Sequence, residues 1–480
     1  VLREVRDRIG GERVLGLRLS CDELAPWAGV TPEAAAEQAA RLAGLVDYLV
    51  VVRGSVFSVS ATRPDGHTEP GFGLELCRGI RSAVGIGRSH APLVVLQGSV
   101  VDPAQAQHAL DDGAADLVEM TRAQIADPDL VSKVRAGAPE RVRPCVLCNQ
   151  ACMVRDNRNP VVTSVVEPGS GYEPHDVVPP GTDHAPKRVL VVGGGPAGME
   201  AARVLAVRGH RVELAERGSR LGGAALLAAA LPGKRRFLDA ITWWEGELDR
   251  LGVAVRLGVE VEAGRLRAAR SDGIDVVLAT GSAPGPRDYA SRPGTTVVEA
   301  ADALADLDAL PEGPVVVFDP VGDSLGVGIA ELLAERGRRT SLVTQDQVAG
   351  TRLAITGDLA DANARLQRAG VTRELRSLLR EVGAGTTVLE DCWTAQRRDI
   401  SCAVLVHCGH RLPEEELYLA APGTARAGDC VTPRTVLEAV LEGRRTALRI
   451  GADQTTAEAV PSTVLAGAPI STVPDSRSGS

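Results

Sequence analysis

Two stretches of this sequence hold residue types at spacings that suit chemistry. In the first, RVLVVGGGPAGMEAARVLAVRGHRVELAE (188–216), Gly193, Gly195 and Gly198 stand in GxGxxG order. Such glycines serve a tight turn, close backbone approach to a pyrophosphate, and close packing of helix on sheet. The apolar run Val189–Val192 suits a buried parallel strand. Pro196 and Ala197 then open a helix whose first N–H groups would face phosphate. A second strand, Val212–Ala215, ends at Glu216, where a carboxylate can accept hydrogen bonds from a ribose, and Arg217 follows it. The other stretch is Cys145-Val-Leu-Cys148-Asn-Gln-Ala-Cys152. Three thiolates in CxxCxxxC spacing can wrap one corner of an iron–sulfur cluster or a metal. A vacant relic is one alternative, and a structural zinc completed by His175 or another donor is a second.

The whole chain narrows the choices. With 480 residues it should hold several domains with sizeable cores. Its net charge of -9 gives no basic footprint for nucleic acid or an anionic membrane, and 2% aromatic residues leave few base-stacking platforms. No apolar run reaches transmembrane length and no signal peptide opens the chain. Nine cysteines without a disulfide-like framework suit a reducing cytoplasm. Val1–Ile9 reads as an amphipathic helix already under way, so the expectation is a sequence that lacks its true beginning.

The elements that must position these motifs alternate strand and helix. Strands are expected at Val14–Ser20, Asp47–Val52, Leu93–Gln97 and Leu117–Met120. Helices are expected at Pro32–Leu45, Leu74–Val84 and Pro103–Asp111. This is the pattern of parallel β/α units, but four strands do not close an eight-stranded barrel. Pro168–Pro186 reads as a linker. Beyond it lie further strands at Val253–Leu257, Asp275–Leu278, Val315–Asp319, Arg338–Thr344 and Val404–Cys408. In FDPVGDSLGVGIAELL (318–333) Gly322, Gly326 and Gly328 follow a strand, but Asp319 and Asp323 line the turn. A carboxylate there repels pyrophosphate. Trp243 and Trp244 read as packing, His67 as a solvent-exposed loop residue, and Cys392, Cys402, Cys408 and Cys430 as buried small residues.

Several segments resemble one flavoprotein family. GLRLS (16–20), Val51–Ser55, QGSVVDPAQA (97–106) and DLVEMTRAQIADPDLVSK (116–133) resemble strands five to eight of Old Yellow Enzyme-like flavin barrels. Arg220-Leu221-Gly222-Gly223, Ala279-Thr280-Gly281 and Gly428-Asp429 resemble the FAD-contacting segments of two-dinucleotide-domain flavoproteins. Taken over nearly the whole chain, the sequence resembles 2,4-dienoyl-CoA reductase and trimethylamine dehydrogenase and their mycofactocin-associated actinobacterial relatives. The resemblance implies FMN held by Gly98, Ser99, Thr121 and Arg122 at its phosphate and by Arg18 at the flavin edge. It implies FAD on the glycine motif with Gly223, Thr280, Gly281, Gly428 and Asp429. It also implies a [4Fe-4S] cluster on Cys145, Cys148 and Cys152, with Ser164 where the fourth cysteine belongs, which would make the centre labile or [3Fe-4S]. The bland alternatives are salt-bridge roles for Arg18 and Arg122, and an N-cap role for Asp429 or Thr432. The family's barrel histidine is replaced, by ungapped matching, with Ser58.

The fold class expected is therefore α/β: the C-terminal half of a (β/α)8 flavin barrel followed by two Rossmann-like dinucleotide lobes. The expected division is 1–140 for the partial FMN barrel, 141–186 for the cysteine cluster and linker, 187–296 with 400–451 for the FAD lobe, 297–399 for a degenerate NAD(P)-type lobe, and 452–480 for a disordered tail. The function expected is a cytoplasmic flavin oxidoreductase passing electrons between FAD, an iron–sulfur centre and FMN. Its small-molecule substrate would be an enoyl or dienoyl C=C compound, or an amine or alcohol. Use of NAD(P)H, an electron-transfer partner and a homo-oligomer stay open. The rival reading is a truncated, non-catalytic relative serving as a scaffold or docking protein.

Overall fold

The computed structural model of the chain describes residues 1–85, 91–154, 158, 161–174, 181 and 185–451. The expected disordered tail, 452–480, and His175 lie outside the described residues. No helix among the described residues is long and apolar enough to cross a membrane.

The first part is an open sheet of four parallel strands in sequential order: Gly16–Asp22, Tyr48–Arg53, Leu93–Leu96 and Leu117–Val118. Helices Pro32–Leu42, Leu74–Ala83 and Pro103–Asp111 connect them. The first and third of these helices are capped where polar side chains precede proline: Thr31 accepts from Ala34 N and Asp102 from Ala104 N. Alternation along the second strand sends Leu49 and Val51 into the helix-side core with Ala35, Ala39, Cys77 and Ile80. Its other face carries Val50, which with Val95, Arg18, Tyr48, Leu117 and Glu119 lines a concavity of about 430 Å³. The expected half-barrel is thus present as a four-stranded parallel sheet with one clad and one open face.

The second sheet holds the glycine motif. Its parallel order is Ala425–Arg426, Asp275–Leu278, Arg188–Val192, Arg211–Glu216, Ala254–Leu257. The chain returns to this sheet from far away in sequence, and the returning helix Val436–Arg449 crosses helix Pro196–Val207. The crossing requires glycine at position 443, where a Cβ would lie 2.2 Å from the Ala197 carbonyl oxygen. The cap of the returning helix is Thr435 in a capping box with Glu438, in place of the Asp429 or Thr432 considered from sequence.

A third sheet corrects one expected boundary. Val404–His407, grouped from sequence with the FAD lobe, pairs with both Val297–Glu299 and Val315–Phe318, so it is an inner strand of the other lobe. An antiparallel sheet of Ser377–Gly383, Gly385–Asp391 and Arg397–Cys402 covers it through Val316, Phe318, Leu405, Leu379, Val382 and Leu389. Trp243 and Trp244 are buried, as are Cys402, Cys408 and Cys430. Cys392 is exposed instead, because it sits in the hairpin turn after Asp391.

One buried charge network ties these parts together. Glu200, on the glycine-motif helix, has no exposed surface. Its carboxylate accepts from Arg203 at 2.8 and 2.9 Å, from Arg444 at 3.1 and 3.2 Å, and from Trp244 Nε1 at 3.0 Å. Arg143, from the cysteine segment, reaches Glu200 at 4.0 Å, bonds Glu167 at 2.8 Å and stacks on Trp243. Arg444 also bonds Glu167. Burial alone would raise the Glu200 pKa, yet the arginines hold it far below the carboxylate range. Three guanidiniums here meet two carboxylates, so removing one negative charge strands buried cations. Glu200→Gln should cost about 3–5 kcal/mol of stability in urea unfolding. A loss under about 1 kcal/mol would show that the network is not what clamps the three segments.

Candidate functional site

Three strand ends converge on the glycine turn: Val192, Glu216 and Leu278 all finish at the carboxyl edge of their sheet. Strand Arg188–Val192 lies where the strand order reverses, the usual place for a ligand crevice in open α/β sheets. Gly193 has φ 106°, and a Cβ on it would lie 2.2 Å from the Ala279 carbonyl oxygen. A Cβ on Gly198 would lie 1.8 Å from the Gly193 carbonyl oxygen. Gly195, the N-cap, differs: a Cβ there would meet nothing within 4 Å, and no side chain caps this helix. The helix N-terminus therefore opens onto space with its first N–H groups available, as a phosphate site requires.

The other expected residues gather round that opening. Glu216 Oε2 accepts from Gly194 N and its Oε1 from Gly218 N, both at 2.6 Å. A carboxylate has about four acceptor positions, so two stay free for sugar hydroxyls. Arg217 beside it is exposed. Gly223, at φ 51°, backs onto Gly195. Thr280 donates to the Glu414 carbonyl at 2.7 Å, and Gly281, at φ 81°, faces open space. Gly428 packs against Ala197, and Asp429 accepts from Ser282 Oγ at 3.2 Å and from Arg434 N at 3.2 Å. The residues present fit an adenine dinucleotide.

The corresponding turn of the other lobe does not. Gly326 stands where Gly198 stands in the first lobe, but the turn before it is filled by Asp319, which is fully buried. Asp319 Oδ1 accepts from Val321 N and Gly322 N, at 3.1 and 2.8 Å, and Asp323 caps the helix at Leu325 N. The chain's own carboxylates occupy the donors that a pyrophosphate would need, so the NAD(P)H expected as an option does not fit this turn.

At the barrel end, Gly98 and Ser99 adopt φ 132° and 61°. Arg122 donates to Ser99 Oγ, to Asn149 Oδ1 and, at 2.9 Å, to the Pro64 carbonyl. Arg18 pairs with Glu119 at 2.6 Å, and Thr121 donates to the same carboxylate at 2.9 Å. Glu119 thus organises two expected residues, though nothing in its sequence context singled it out. Arg122 and Ser99 are brought together; Arg18 and Thr121 meet across Glu119.

The cysteines are buried or half-buried beside this arginine. Burial pushes the Cys148 thiol up to about 12, while Arg122 and Arg236 favour the Cys145 thiolate against a larger burial effect. Thr163 N donates to the Ala151 carbonyl at 3.0 Å, which returns Ser164 to the motif. Ser164 is buried, and the buried hydroxyl of neighbouring Thr163 has no partner among the described residues. Among the described residues the three cysteine sulfurs do not all lie within 4.8 Å of one another.

His67 also departs from expectation. It is packed against Gly233 and bonded to Asp65 at 3.1 Å rather than solvent-exposed. Its neighbours Asp358 and Arg365 belong to the other lobe, and the two oxygens of Asp358 are held by Arg365 at 2.8 and 2.9 Å. Together with Arg63 and Asn149 they line a junction cavity of about 220 Å³.

Comparison with known proteins agrees with this architecture. Residues 1–141 match the NADH:flavin oxidoreductase / NADH oxidase family, and residues 187–432 match the pyridine nucleotide-disulphide oxidoreductase family. The chain belongs to the family that joins these modules, that of 2,4-dienoyl-CoA reductase and trimethylamine dehydrogenase. A member from Chromohalobacter salexigens, N,N-dimethylglycine/sarcosine dehydrogenase, is 33% identical over 89% of this chain and 62% of its own length. An NADH oxidase from Thermoanaerobacter brockii is 35% identical over 72% of this chain and 52% of its own. Histamine dehydrogenase from Rhizobium sp. 4-9 superposes with TM-score 0.83 at 24% identity, covering 93% of this chain and 67% of that one. The chain thus spans 62% and 50% of the first two curated relatives it matches.

The filled turn of the second lobe has a measurable consequence. Burial first, then Asp323, pushes Asp319 from 3.8 up to about 7. The folded chain then keeps a proton that the unfolded chain loses, so this group's contribution falls as pH rises through that window, by about 1.4 kcal/mol per unit. Asp319→Asn should gain stability relative to the parent between pH 4.5 and pH 8, as read by thermal unfolding. An equal difference at both pH values would show that Asp319 is ionised throughout.

Proposed function

We propose that this chain is the FAD- and cluster-bearing part of a flavin oxidoreductase that oxidises an amine. Its Gly193–Gly198 turn, Glu216, Gly223, Thr280, Gly281 and Asp429 hold FAD. Gly98, Ser99, Thr121 and Arg122 hold the FMN phosphate with Arg18 at the flavin edge, and Cys145, Cys148, Cys152 and Ser164 hold an iron–sulfur centre. Bound together, these groups supply one- and two-electron transfer between a substrate at the barrel mouth and an acceptor. The chain's own part is placement: the uncapped helix takes pyrophosphate, Glu216 takes the ribose, and the Arg143–Glu200–Arg444 network keeps the cysteine segment against the FAD lobe.

The observation that carries the direction is the contrast between the two glycine turns. One is open with a free helix N-terminus, and the other is closed by Asp319 and Asp323. A chain that cannot seat NAD(P)H in its second lobe is suited to draw electrons from substrate and pass them outward. The dimethylglycine/sarcosine dehydrogenase relative supports an N-alkyl amine over an enoyl compound. Nine unpaired cysteines support a cytoplasmic site, and the outward electrons call for a protein or small-molecule acceptor.

Purified holoprotein should release FAD and FMN on denaturation and stay oxidised with NADPH in the absence of oxygen, yet bleach with a secondary or tertiary N-methyl amine. Glu216→Gln should weaken FAD retention on the order of tenfold, through loss of charge-assisted bonds to the sugar. Bleaching by NADPH would overturn the dehydrogenase direction. A colourless protein would return the scaffold reading.

A further inference from the structure

Asn149 stands between two sites that the sequence treats as separate. It follows Cys148, is 5% exposed, and has φ 51°. Its Oδ1 accepts from Arg122, and its Nδ2 donates to the Arg63 carbonyl at 2.7 Å. Arg63 and Pro64 belong to the barrel loop whose Pro64 carbonyl also takes Arg122 and Ser99. One side-chain amide therefore bridges the cysteine turn, the barrel loop and the arginine of the phosphate site.

The donor count shows what that arrangement leaves. A guanidinium has five N–H donors. Arg122 commits both Nη2 hydrogens to Ser99 and Pro64 and one Nη1 hydrogen to Asn149, which leaves its Nε–H and one Nη1–H as single donors for an anion. Fixing the fork by three neutral acceptors preserves its full charge, which an acidic partner would cancel. On the other side of the amide, Leu147 has φ 54°, a left-handed conformation that bulky side chains rarely adopt. Left-handed residues thus flank Cys148 on both sides. Such a turn persists only when its surroundings hold it, and the two amide bonds of Asn149 are the side-chain anchors at this point.

We propose that Asn149 is a positioning residue that sets the Arg122 fork for the FMN phosphate and the Cys148 turn for the metal centre together, so that occupancy of either site strengthens the other. This rests on the assignment of FMN and a cluster made above. Because the coupling is a binding free energy, it must be reciprocal: iron retention should depend on FMN, and FMN affinity on iron.

The test uses the holoprotein carrying Asn149→Gly or Asn149→Asp. Glycine is the residue best suited to φ 51°, so a role confined to the turn predicts that Asn149→Gly keeps parental iron and FMN. The bridging role predicts the opposite: FMN binding to the deflavinated protein weakens on the order of tenfold, and iron per chain falls, while FAD content is unchanged. It also predicts that the dependence of FMN affinity on iron, seen in the parent, disappears. Asn149→Asp keeps an acceptor for Arg122 but cancels its charge, so FMN binding should stay weak. Parental FMN affinity and iron content in Asn149→Gly would overturn the inference. A parent protein that holds neither FMN nor iron would instead overturn the functional assignment beneath it.

Discussion

Glu200 is the constraint on which the arrangement depends. A carboxylate with no exposed surface is costly unless its charge is matched, and here its partners come from its own helix and two distant parts of the chain. Arg203 shares its helix, Arg444 comes from the returning C-terminal helix, and Arg143 comes from the cysteine segment. The cations outnumber the acids here, so the acid cannot leave without stranding buried guanidiniums. The result is a fixed relation between the glycine turn at one end of helix Pro196–Val207 and the cysteines just beyond Arg143. Hydrophobic burial could hold these segments together, but it does not specify orientation as paired, hydrogen-bonded charges do.

That relation explains why the two ends of the site can be built from unlike materials. The dinucleotide opening is backbone: glycines, an uncapped helix and one carboxylate. The barrel end is side-chain chemistry: Arg122, Ser99, Asn149 and the Arg18–Glu119 pair. Between them lie buried thiols that burial alone would keep protonated. Electron transfer needs fixed placement more than it needs acid–base groups, and the described residues are placed by pairing rather than by flexible surface contacts.

How much of this the sequence shows depends on how local the signal is. The strand, glycines, helix and terminal acid of Arg188–Glu216 are contiguous, so their roles in the turn can be read residue by residue. The membership of Val404–His407 cannot. A four-residue apolar strand carries no label for its sheet, and only its pairing with Val315–Phe318 assigns it. Glu119, Glu414, Asn149 and Gly443 matter through contacts far away in sequence. The Thr435–Glu438 capping box, by contrast, is local, written as T-x-x-E before an apolar periodic run. His67 is the opposite case. A polar loop sequence suggests solvent, yet the loop is pinned where several parts of the chain meet.

The two glycine turns have similar geometry and differ in what fills them. Gly198 and Gly326 both lie where a Cβ would strike the turn, so both helices pack on their sheets in the same way. In the first lobe the space ahead of the helix is left open. In the second, Asp319 folds back to satisfy Val321 N and Gly322 N, leaving its other oxygen buried without a partner among the described residues. An orphaned carboxylate oxygen is a cost that a vacant turn need not bear. Its retention beside an intact βαβ unit is what a lobe kept for docking and orientation would tolerate and a nucleotide-exchanging lobe would not. The open and the closed turn therefore fit a division of labour in which one lobe binds a dinucleotide and the other braces it.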